Sequence, residues 1–241
     1  AQPLPDLSAA AVLEGTPLPA SSREELAHRF DPLPEPLYGD VAARDAPLFA
    51  DSAPSFRADV AVRSLHHLAV PGQSDDRDRM ATLAHLTTAG PAVVRDAVLV
   101  AAADDPARTD ALVRTYRAAP EQHRPALATT AAAAVYLAGG PSPAIEAILR
   151  HADREGPNAA LTRLVEAAKN QGINPHKIRR AIGSSIATEL DEADARWHQS
   201  RSSAVRSASF PTTARSVGAD AAAAAYRPAP GGRSTGPEVE R

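Results

Sequence analysis

Residues 92–172 constrain the fold of this chain most, because small apolar residues recur there at helical spacing. The run from Ala92 to Ala103 is apolar except at Arg95 and Asp96. A run of this length, rich in alanine, favours a buried helix over a buried strand. Alanine is the best helix former, and its small side chain lets neighbouring helices approach closely. The sequence therefore predicts an all-α fold, a compact helical array.

Helix start and stop signals divide the chain into a series of predicted helices. Ser22-Arg23-Glu24-Glu25 is a capping box, and Ser74 is placed as an N-cap before an acidic first turn. No stretch shows the two-residue alternation of a half-buried strand. The predicted helices are 23–30, 38–50, 54–70, one from Ser74 to Gly90, 92–103, 109–118, 124–138, 142–155, 158–171 and 175–200.

The helix predicted at 175–200 is the longest of these. Asn174 suits the N-cap, and Pro175 suits the first helical position. An apolar stripe then follows the helical period for about five turns. It comprises Ile178, Ile182, Ile186, Leu190 and Ala193, with Trp197 near its end. We expect this stripe to pack on the helices of residues 124–172, so that a chain cut at Gly172 would expose a large apolar patch.

Composition divides the chain into three segments. Residues 1–21 are a proline-rich N-terminal segment, and residues 22–201 are the predicted helical domain. From 202 to 241, serine, arginine, alanine and proline dominate, and large apolar residues are few. Such a segment buries too little apolar surface to offset the entropy lost on ordering, so a disordered tail is predicted. A chain ending at Ser202 should keep its melting temperature.

A series of short motifs runs in order along the chain. It comprises Leu18–Leu26, Val94–Ala97, Arg117–Pro120, Arg124–Leu127, Tyr136–Gly140 and Ala159–Leu161. Over about residues 10–175 the series resembles the C-terminal half of an uncharacterised family of high-GC bacteria, domain of unknown function 4192. The family's domain begins with an α/β segment that this chain lacks, and Gly140-Pro141 stands where the family has Gly-Asp. The resemblance implies a helical fold and no known activity.

Residues 124–172 also resemble a tetratricopeptide-like helix pair. In that pattern, small residues let two adjacent helices stack at short range, and a turn rich in glycine joins them. Gly139-Gly140 supplies the turn here. A single unit of this kind predicts one helix pair, since a solenoid needs about three repeats.

Arg95 and Asp96 are the first candidate interaction residues, because charges inside an apolar helix need partners. Neighbours in sequence point in different directions on a helix, so we expect each of them to pair elsewhere. An internal salt bridge between Asp96 and Arg117 or Arg124 is favoured over a catalytic role. Tyr136, from the motif series, completes this set of candidates.

Lys177, Arg179 and Arg180 form a small basic cluster in the first turn of the helix predicted at 175–200. The helix dipole disfavours cations at this end, so the cluster is a candidate site for an anion or an acidic partner. A solvent-exposed face is the alternative. A nucleic-acid site would need a larger basic face with stacking aromatic residues, and the sequence does not show one.

The sequence shows no pattern that predicts catalysis, a cofactor or a metal. It has no cysteine, no glycine-rich phosphate loop and no nucleophile elbow. His66, His67 and His85 lack the i, i+4 spacing of a helical metal site. We therefore predict no catalytic residue, no cofactor, no metal ligand and no small-molecule substrate.

Charge and hydropathy bound the possible partners. The net charge of −3 draws the chain neither onto nucleic acid nor onto an anionic membrane, and no stretch is apolar for long enough to span a bilayer. The expected function is a non-enzymatic helical module for protein interaction or regulation in the cytoplasm, with an unknown protein partner. The alternative is a helical accessory or lid portion of an enzyme whose α/β half lies outside this chain.

Overall fold

The computed structural model describes residues 23–41 and 45–209, and within these ranges the chain is all-α, without a strand. Residues up to His198 belong to one compact unit, and Gln199 begins a second. The helices are α1 Arg23–His28, α2 Ala46–Ala50, α3 Pro54–Ala69, α4 Arg77–Ala89, α5 Ala92–Ala103, α6 Pro106–Arg117, α7 Arg124–Leu137, α8 Ser142–Leu149, α9 Ala159–Asn170 and α10 Pro175–Ser209. The predicted segment 1–21 and the part of the predicted tail from 210 to 241 lie outside the described residues.

The core of the first unit is built around α7, whose residues from Leu127 to Leu137 are all buried. This helix packs against α4, α5, α6, α8 and α9. Ala131 to Ala134 are no more than 2 % exposed, so the neighbouring helices lie close to the backbone of α7. The predicted compact helical array is confirmed. α7 and α8 pack against each other as a pair, and the likeness of that pair to a tetratricopeptide unit stays a prediction.

Two helices of this core end at a glycine with positive φ. Gly139, after α7, has φ +79°, and Gly172, after α9, has φ +63°. After α9 the Ile173 amide also donates to the Ala168 carbonyl at 3.0 Å, which completes a Schellman motif. A side chain at either glycine would be strained, because residues with a Cβ rarely adopt this conformation.

The helix predicted at 38–50 is wrong for residues 38–41, which are not helical, whereas α2 lies within the later part of the predicted range. Residues 33–38 run along the end of α6 instead. There the Tyr38 hydroxyl donates to the Thr115 carbonyl at 2.8 Å, and the Tyr38 side chain is buried. Burial of this large ring and its hydrogen bond outweigh local helix propensity.

α4 begins later than predicted. Its N-cap is Asp76 rather than Ser74, and the Asp76 carboxylate accepts a hydrogen bond from the Arg79 amide at 3.0 Å. Aspartate caps a helix as well as serine does. This start leaves Asp78 in the first turn, where the helix dipole favours a carboxylate.

α8 ends at Leu149, whereas the sequence predicted a helix to residue 155. The Asp153 carboxylate accepts hydrogen bonds from the Gly156 and Asn158 amides and so holds a turn before α9. Aspartate often competes with a helix in this way, by binding nearby backbone amides. Apolar spacing does not show this competition, which is why the predicted boundary is wrong.

α10 runs to Ser209, so the predicted tail is wrong for residues 202–209. Between Gly183 and Pro211 the sequence has no glycine or proline that would stop a helix. Arginine and alanine are good helix formers, and serine is only moderately unfavourable. The polar composition of this stretch excludes deep burial, but it does not exclude a helix.

Arginine side chains bind several helix C-termini, where the last carbonyls have no partner within the helix. Arg57 donates to the Ala50 carbonyl at the end of α2, at 2.8 Å, and Arg114 donates to the Leu68 carbonyl near the end of α3, at 2.9 Å. A guanidinium also suits the negative end of the helix dipole. These arginines therefore stabilise the fold rather than form an open basic face.

Candidate functional site

Arg95 and Asp96 bind each other. Arg95 Nη2 and Nε donate to Asp96 Oδ1 at 2.8 and 2.9 Å, and Arg95 Nη1 donates to the Asn158 side-chain oxygen at 2.7 Å. Arg95 has the distant partner that we predicted, in Asn158, but the prediction that Arg95 and Asp96 would not bind each other is wrong, because the long arginine side chain folds back onto its neighbour. The partly buried group ties α5 to the start of α9, which is a structural role.

Arg117 and Arg124, the predicted partners of Asp96, bind backbone carbonyls instead. Arg117 Nε donates to the Asp31 carbonyl at 3.0 Å, and Arg124 Nη2 donates to the Ala119 carbonyl at 3.1 Å. Each of these hydrogen bonds holds an irregular segment of the chain next to α6. The structure therefore does not bring the charged sequence candidates together into one site.

The Asp31 carboxylate lies close to three basic side chains, an arrangement that the sequence did not indicate. Its carboxylate lies 2.8 Å from His28 Nδ1, 3.4 Å from Arg150 Nη2 and 3.5 Å from His151 Nε2. Burial raises the pKa of this carboxyl, but the hydrogen bonds from His28 and His151 and the charge of Arg150 outweigh burial. The pKa of Asp31 is therefore below its ordinary value of 3.8.

Asp31→Asn should lower the free energy of unfolding at neutral pH by about 0.5–1 kcal/mol, since the ion pairs are partly exposed. A carboxyl whose pKa is lowered by folding stabilises the protein above its unfolded pKa, here near 3.8. It loses that contribution as the pH falls through the lower folded value. Urea unfolding at neutral pH and at about pH 2 should show the two proteins converging in acid. An equal gap at both pH values would contradict this role of Asp31.

Tyr136 anchors the turn that leads into α10. Its hydroxyl donates to the carbonyl of Ile173, the residue after Gly172. The Asn174 side chain then accepts a hydrogen bond from the His176 amide at 2.9 Å, which confirms Asn174 as a helix cap. Tyr136, a sequence candidate for interaction, thus positions the start of α10.

The three cations of the predicted basic cluster have different surroundings. Arg179 Nη1 donates to the Ala103 carbonyl at 2.7 Å, and Arg179 Nε lies 3.7 Å from Asp104 Oδ1. Arg179 therefore binds the C-terminus of α5, whose dipole attracts a cation. Lys177 and Arg180 are exposed. The structure does not bring the three cations together around one anion.

A second polar contact holds α10 further along its length. The Ser55 amide, at the start of α3, donates to Asp194 Oδ1 at 2.9 Å. A carboxylate suits this position because a helix N-terminus is positive. Ser55 and Asp194 are 139 residues apart in sequence, so no local pattern could indicate the contact.

The apolar face of α10 covers a junction of α5, α7 and α9. We call this junction the apolar seam, and it is lined by Leu99, Ala133, Leu137, Leu161 and Val165. Ile178 and Ile182 pack on the apolar seam and leave a crevice of only about 30 Å³. The predicted packing of the long helix on residues 124–172 is confirmed, with α5 as an additional partner.

Beyond the apolar seam, Leu190 and Ala193 of α10 also pack on the core. Leu190 is half-buried, and Ala193 is buried. Trp197, the only tryptophan of the chain, is half-buried and meets His198 edge-on, with ring centroids 4.8 Å apart. Four residues of the predicted stripe therefore face the core, namely Ile178, Ile182, Leu190 and Ala193.

Gly183 destabilises α10, because glycine is a poor helix former. A Cβ at this position would lie 3.7 Å from Val100 Cγ1, an ordinary van der Waals contact. Gly183→Ala should raise the free energy of unfolding by about 0.5–1 kcal/mol, because alanine loses less backbone entropy in a helix. Thermal denaturation should show a melting temperature higher by about 1–4 °C. A lower melting temperature would contradict the described packing of α10 on α5.

An open cleft of about 640 Å³ lies between α2, α3 and α4. Its lining is mainly apolar, and its polar members are Arg57 and His85. The His85 ring lies 6.0 Å from that of Phe49, and burial lowers the pKa of His85 below its ordinary 6.5, which favours the neutral imidazole. On the helices that form this cleft, Leu48 is 64 % exposed and Phe56 is 51 % exposed.

A hydrogen-bonded chain of three side chains interacts electrostatically with the histidine of this cleft. His123 Nε2 lies 2.7 Å from Asp40 Oδ1, and His123 Nδ1 lies 3.0 Å from Thr88 Oγ1. Hydrolases use a carboxylate, an imidazole and a hydroxyl in this order. Here the Thr88 hydroxyl also donates to the Ala84 carbonyl at 2.8 Å, as structural threonines in helices do. We interpret these hydrogen bonds as structural, because they hold residues 38–41 against α4 and the start of α7.

The sequence did not predict these hydrogen bonds, because the three residues are far apart in the chain. Asp40 and His123 are separated by 83 residues, and Thr88 and His123 by 35. Among the described residues, no group of three or more His, Cys, Asp or Glu side chains is placed to hold a metal ion. In the same ranges, no helix has both the length and the apolar character needed to cross a bilayer.

No family model, no curated protein and no solved structure matches this chain. The resemblance to domain of unknown function 4192 therefore stays a prediction from the sequence. A functional proposal has to be based on the geometry of this chain alone.

Proposed function

We propose that this chain is a non-enzymatic helical module of the cytoplasm that binds another protein. The observation that carries the proposal is the open, mainly apolar cleft of about 640 Å³ between α2, α3 and α4. Leu48 and Phe56 do not line the cleft, but both are exposed and each is next in sequence to a residue that does, so a partner that extends beyond the cleft would cover them. Burial of apolar surface drives most protein association, and aromatic residues such as phenylalanine are enriched at interfaces.

The surroundings of the charged residues support interaction rather than a reaction. Arg95 and Asp96 bind each other, and Arg179 binds the end of α5. Arg117 and Arg124 bind backbone carbonyls. To act on a substrate, each of these groups would first have to leave a fixed internal partner. The apolar cleft, in contrast, is open.

Affinity capture of the tagged full-length chain from its own cells, followed by mass spectrometry, tests the proposal. Leu48→Ser/Phe56→Ser should lose the partner that the wild type recovers. Val70→Ser is the matched control, because Val70 is also exposed, at 45 %, but follows the last residue of α3, at the opposite end of that helix from the cleft residue Arg57. The control should recover the partner as the wild type does.

Folding of the variants is checked by thermal denaturation. All three side chains are about half exposed or more, so each substitution should lower the free energy of unfolding by no more than about 1.5 kcal/mol. Equal recovery of the same partner by Leu48→Ser/Phe56→Ser and the wild type would contradict docking over the cleft and the exposed side chains beside it. Loss of the partner by Val70→Ser as well would show that recovery does not depend on the cleft.

A further inference from the structure

α10 lies on the rest of the first unit as a bound helix would. Ile178 and Ile182 pack on the apolar seam, while Arg179 and Asp194 bind the ends of two other helices. An amphipathic helix seated in an apolar groove is a recurring mode of protein recognition.

The two helix ends that bind α10 carry opposite partial charges. The carbonyl end of α5 is negative and binds Arg179, whereas the amide end of α3 is positive and binds Asp194. These two residues are about 22 Å apart along α10, at 1.5 Å per residue. The surface beneath α10 thus specifies both the direction of the helix that fits it and the positions of that helix's apolar and charged residues. That helix has an aliphatic pair at i and i+4, an arginine at i+1 and a carboxylate about 15 residues after the arginine.

α10 is held less firmly than the core. Its inward residues Ile178, Ile182 and Leu190 are only half-buried, and Ala193 is its one buried residue among those described. In α7, every residue from Leu127 to Leu137 is buried. Elements with few buried contacts open at a lower free energy than the core does. Opening of α10 is therefore expected to require less free energy than unfolding of α7.

We propose that the surface beneath α10 is a docking groove for an amphipathic helix of a partner protein, and that α10 is its resident occupant. The groove consists of the apolar seam and the flanking ends of α5 and α3. The proposal rests on the proposed function, since it names a kind of partner for such a module. A tethered helix acts at an effective concentration of about millimolar, so α10 restricts access to the groove.

A disulfide lock makes this proposal testable in the full-length chain. The protein has no cysteine, and a Cβ at Gly183 would lie 3.7 Å from Val100 Cγ1. Val100→Cys/Gly183→Cys therefore places two thiols within reach of a disulfide between α5 and α10. Oxidation holds α10 on the groove, and reduction frees it, so one protein provides both states.

The probe is a fluorescently labelled peptide of residues 175–198, and binding is measured by fluorescence anisotropy. The locked protein should bind this peptide at least tenfold more weakly than the reduced protein does. A peptide carrying Ile178→Asp and Ile182→Asp is the control and should bind neither state. Equal binding of the unaltered peptide to both states would overturn the proposal, because the peptide would then bind elsewhere.

A second variant covers the case in which α10 outcompetes the peptide even in the reduced protein. Ile178→Ala/Ile182→Ala in the full-length chain weakens the hold of α10 and leaves the groove unchanged. It should bind the unaltered peptide at least tenfold more tightly than the wild-type chain does, with circular dichroism confirming that it is folded. Absence of binding to both the reduced and the weakened chain would overturn the proposal.

Light scattering distinguishes a partner helix from a second copy of the chain. If the weakened variant forms dimers without added peptide, the occupant is α10 of a second copy, and the partner-helix proposal is wrong. None of these variants alters the cleft between α2, α3 and α4. A failure at the groove can therefore be told apart from a failure of the proposed function, which Leu48→Ser/Phe56→Ser tests.

Discussion

Ala131→Leu is expected to lower the free energy of unfolding by about 2–3 kcal/mol, a large share of the 5–15 kcal/mol of an ordinary domain. Ala131 has no exposed surface, and every residue of α7 from Leu127 to Leu137 is buried. Interiors contain few voids, so the larger side chain has to displace the helices that pack on α7. The cost therefore comes from overpacking and not from a change in helix propensity.

Urea unfolding of the wild type and the variant, followed by circular dichroism, measures this effect. Ala187→Leu is the matched control, because Ala187 is exposed on α10. Leucine is nearly as good a helix former as alanine, so the control should remain within about 0.5 kcal/mol of the wild type. A similar result for both variants would contradict the close packing around α7.

A chain ending at Gly172 is expected to lose about 3–6 kcal/mol of stability and to aggregate. It lacks four half-buried aliphatic side chains, Ile178, Ile182, Ile186 and Leu190. Complete burial of one such side chain contributes about 1.5–3 kcal/mol, and half-burial roughly half as much. The truncation also uncovers the apolar seam, and an exposed apolar patch promotes association.

Size-exclusion chromatography and binding of a hydrophobic dye measure the expected aggregation. A chain ending at Ser202 is the control, since it keeps the four aliphatic side chains of α10. We expect this control to be monomeric with an unchanged melting temperature. A chain ending at Gly172 that stays monomeric and equally stable would show that α10 does not stabilise the core.

The helices at the centre of the fold could be predicted because their signals are local. The apolar run of α5 and the small residues of α7 follow the helical period within a few turns of chain. The inward stripe of α10 and the cap at Asn174 rest on the same short-range rules. The predicted boundaries that are wrong lie where one polar side chain competes with the helix, as Asp153 does after α8.

The polar contacts could not be predicted, because they depend on how distant segments pack. Ser55 meets Asp194 across 139 residues, and Asp40 meets His123 across 83. Arg95 shows the opposite case, since its partner Asp96 is the next residue and yet the helical wheel separates the two. A long side chain can bend across that angle, and only the folded surroundings determine whether it does.

The position of Trp197 gives the protein a built-in optical probe of one helix. It is the only tryptophan and lies on α10, whereas Tyr38, Tyr116 and Tyr136 are buried in the core. Tryptophan fluorescence therefore follows the surroundings of α10, while circular dichroism follows all helices together. If α10 opens before the core, the two signals will change at different denaturant concentrations. An experimenter who records fluorescence alone would then measure the release of α10 and report it as the stability of the protein.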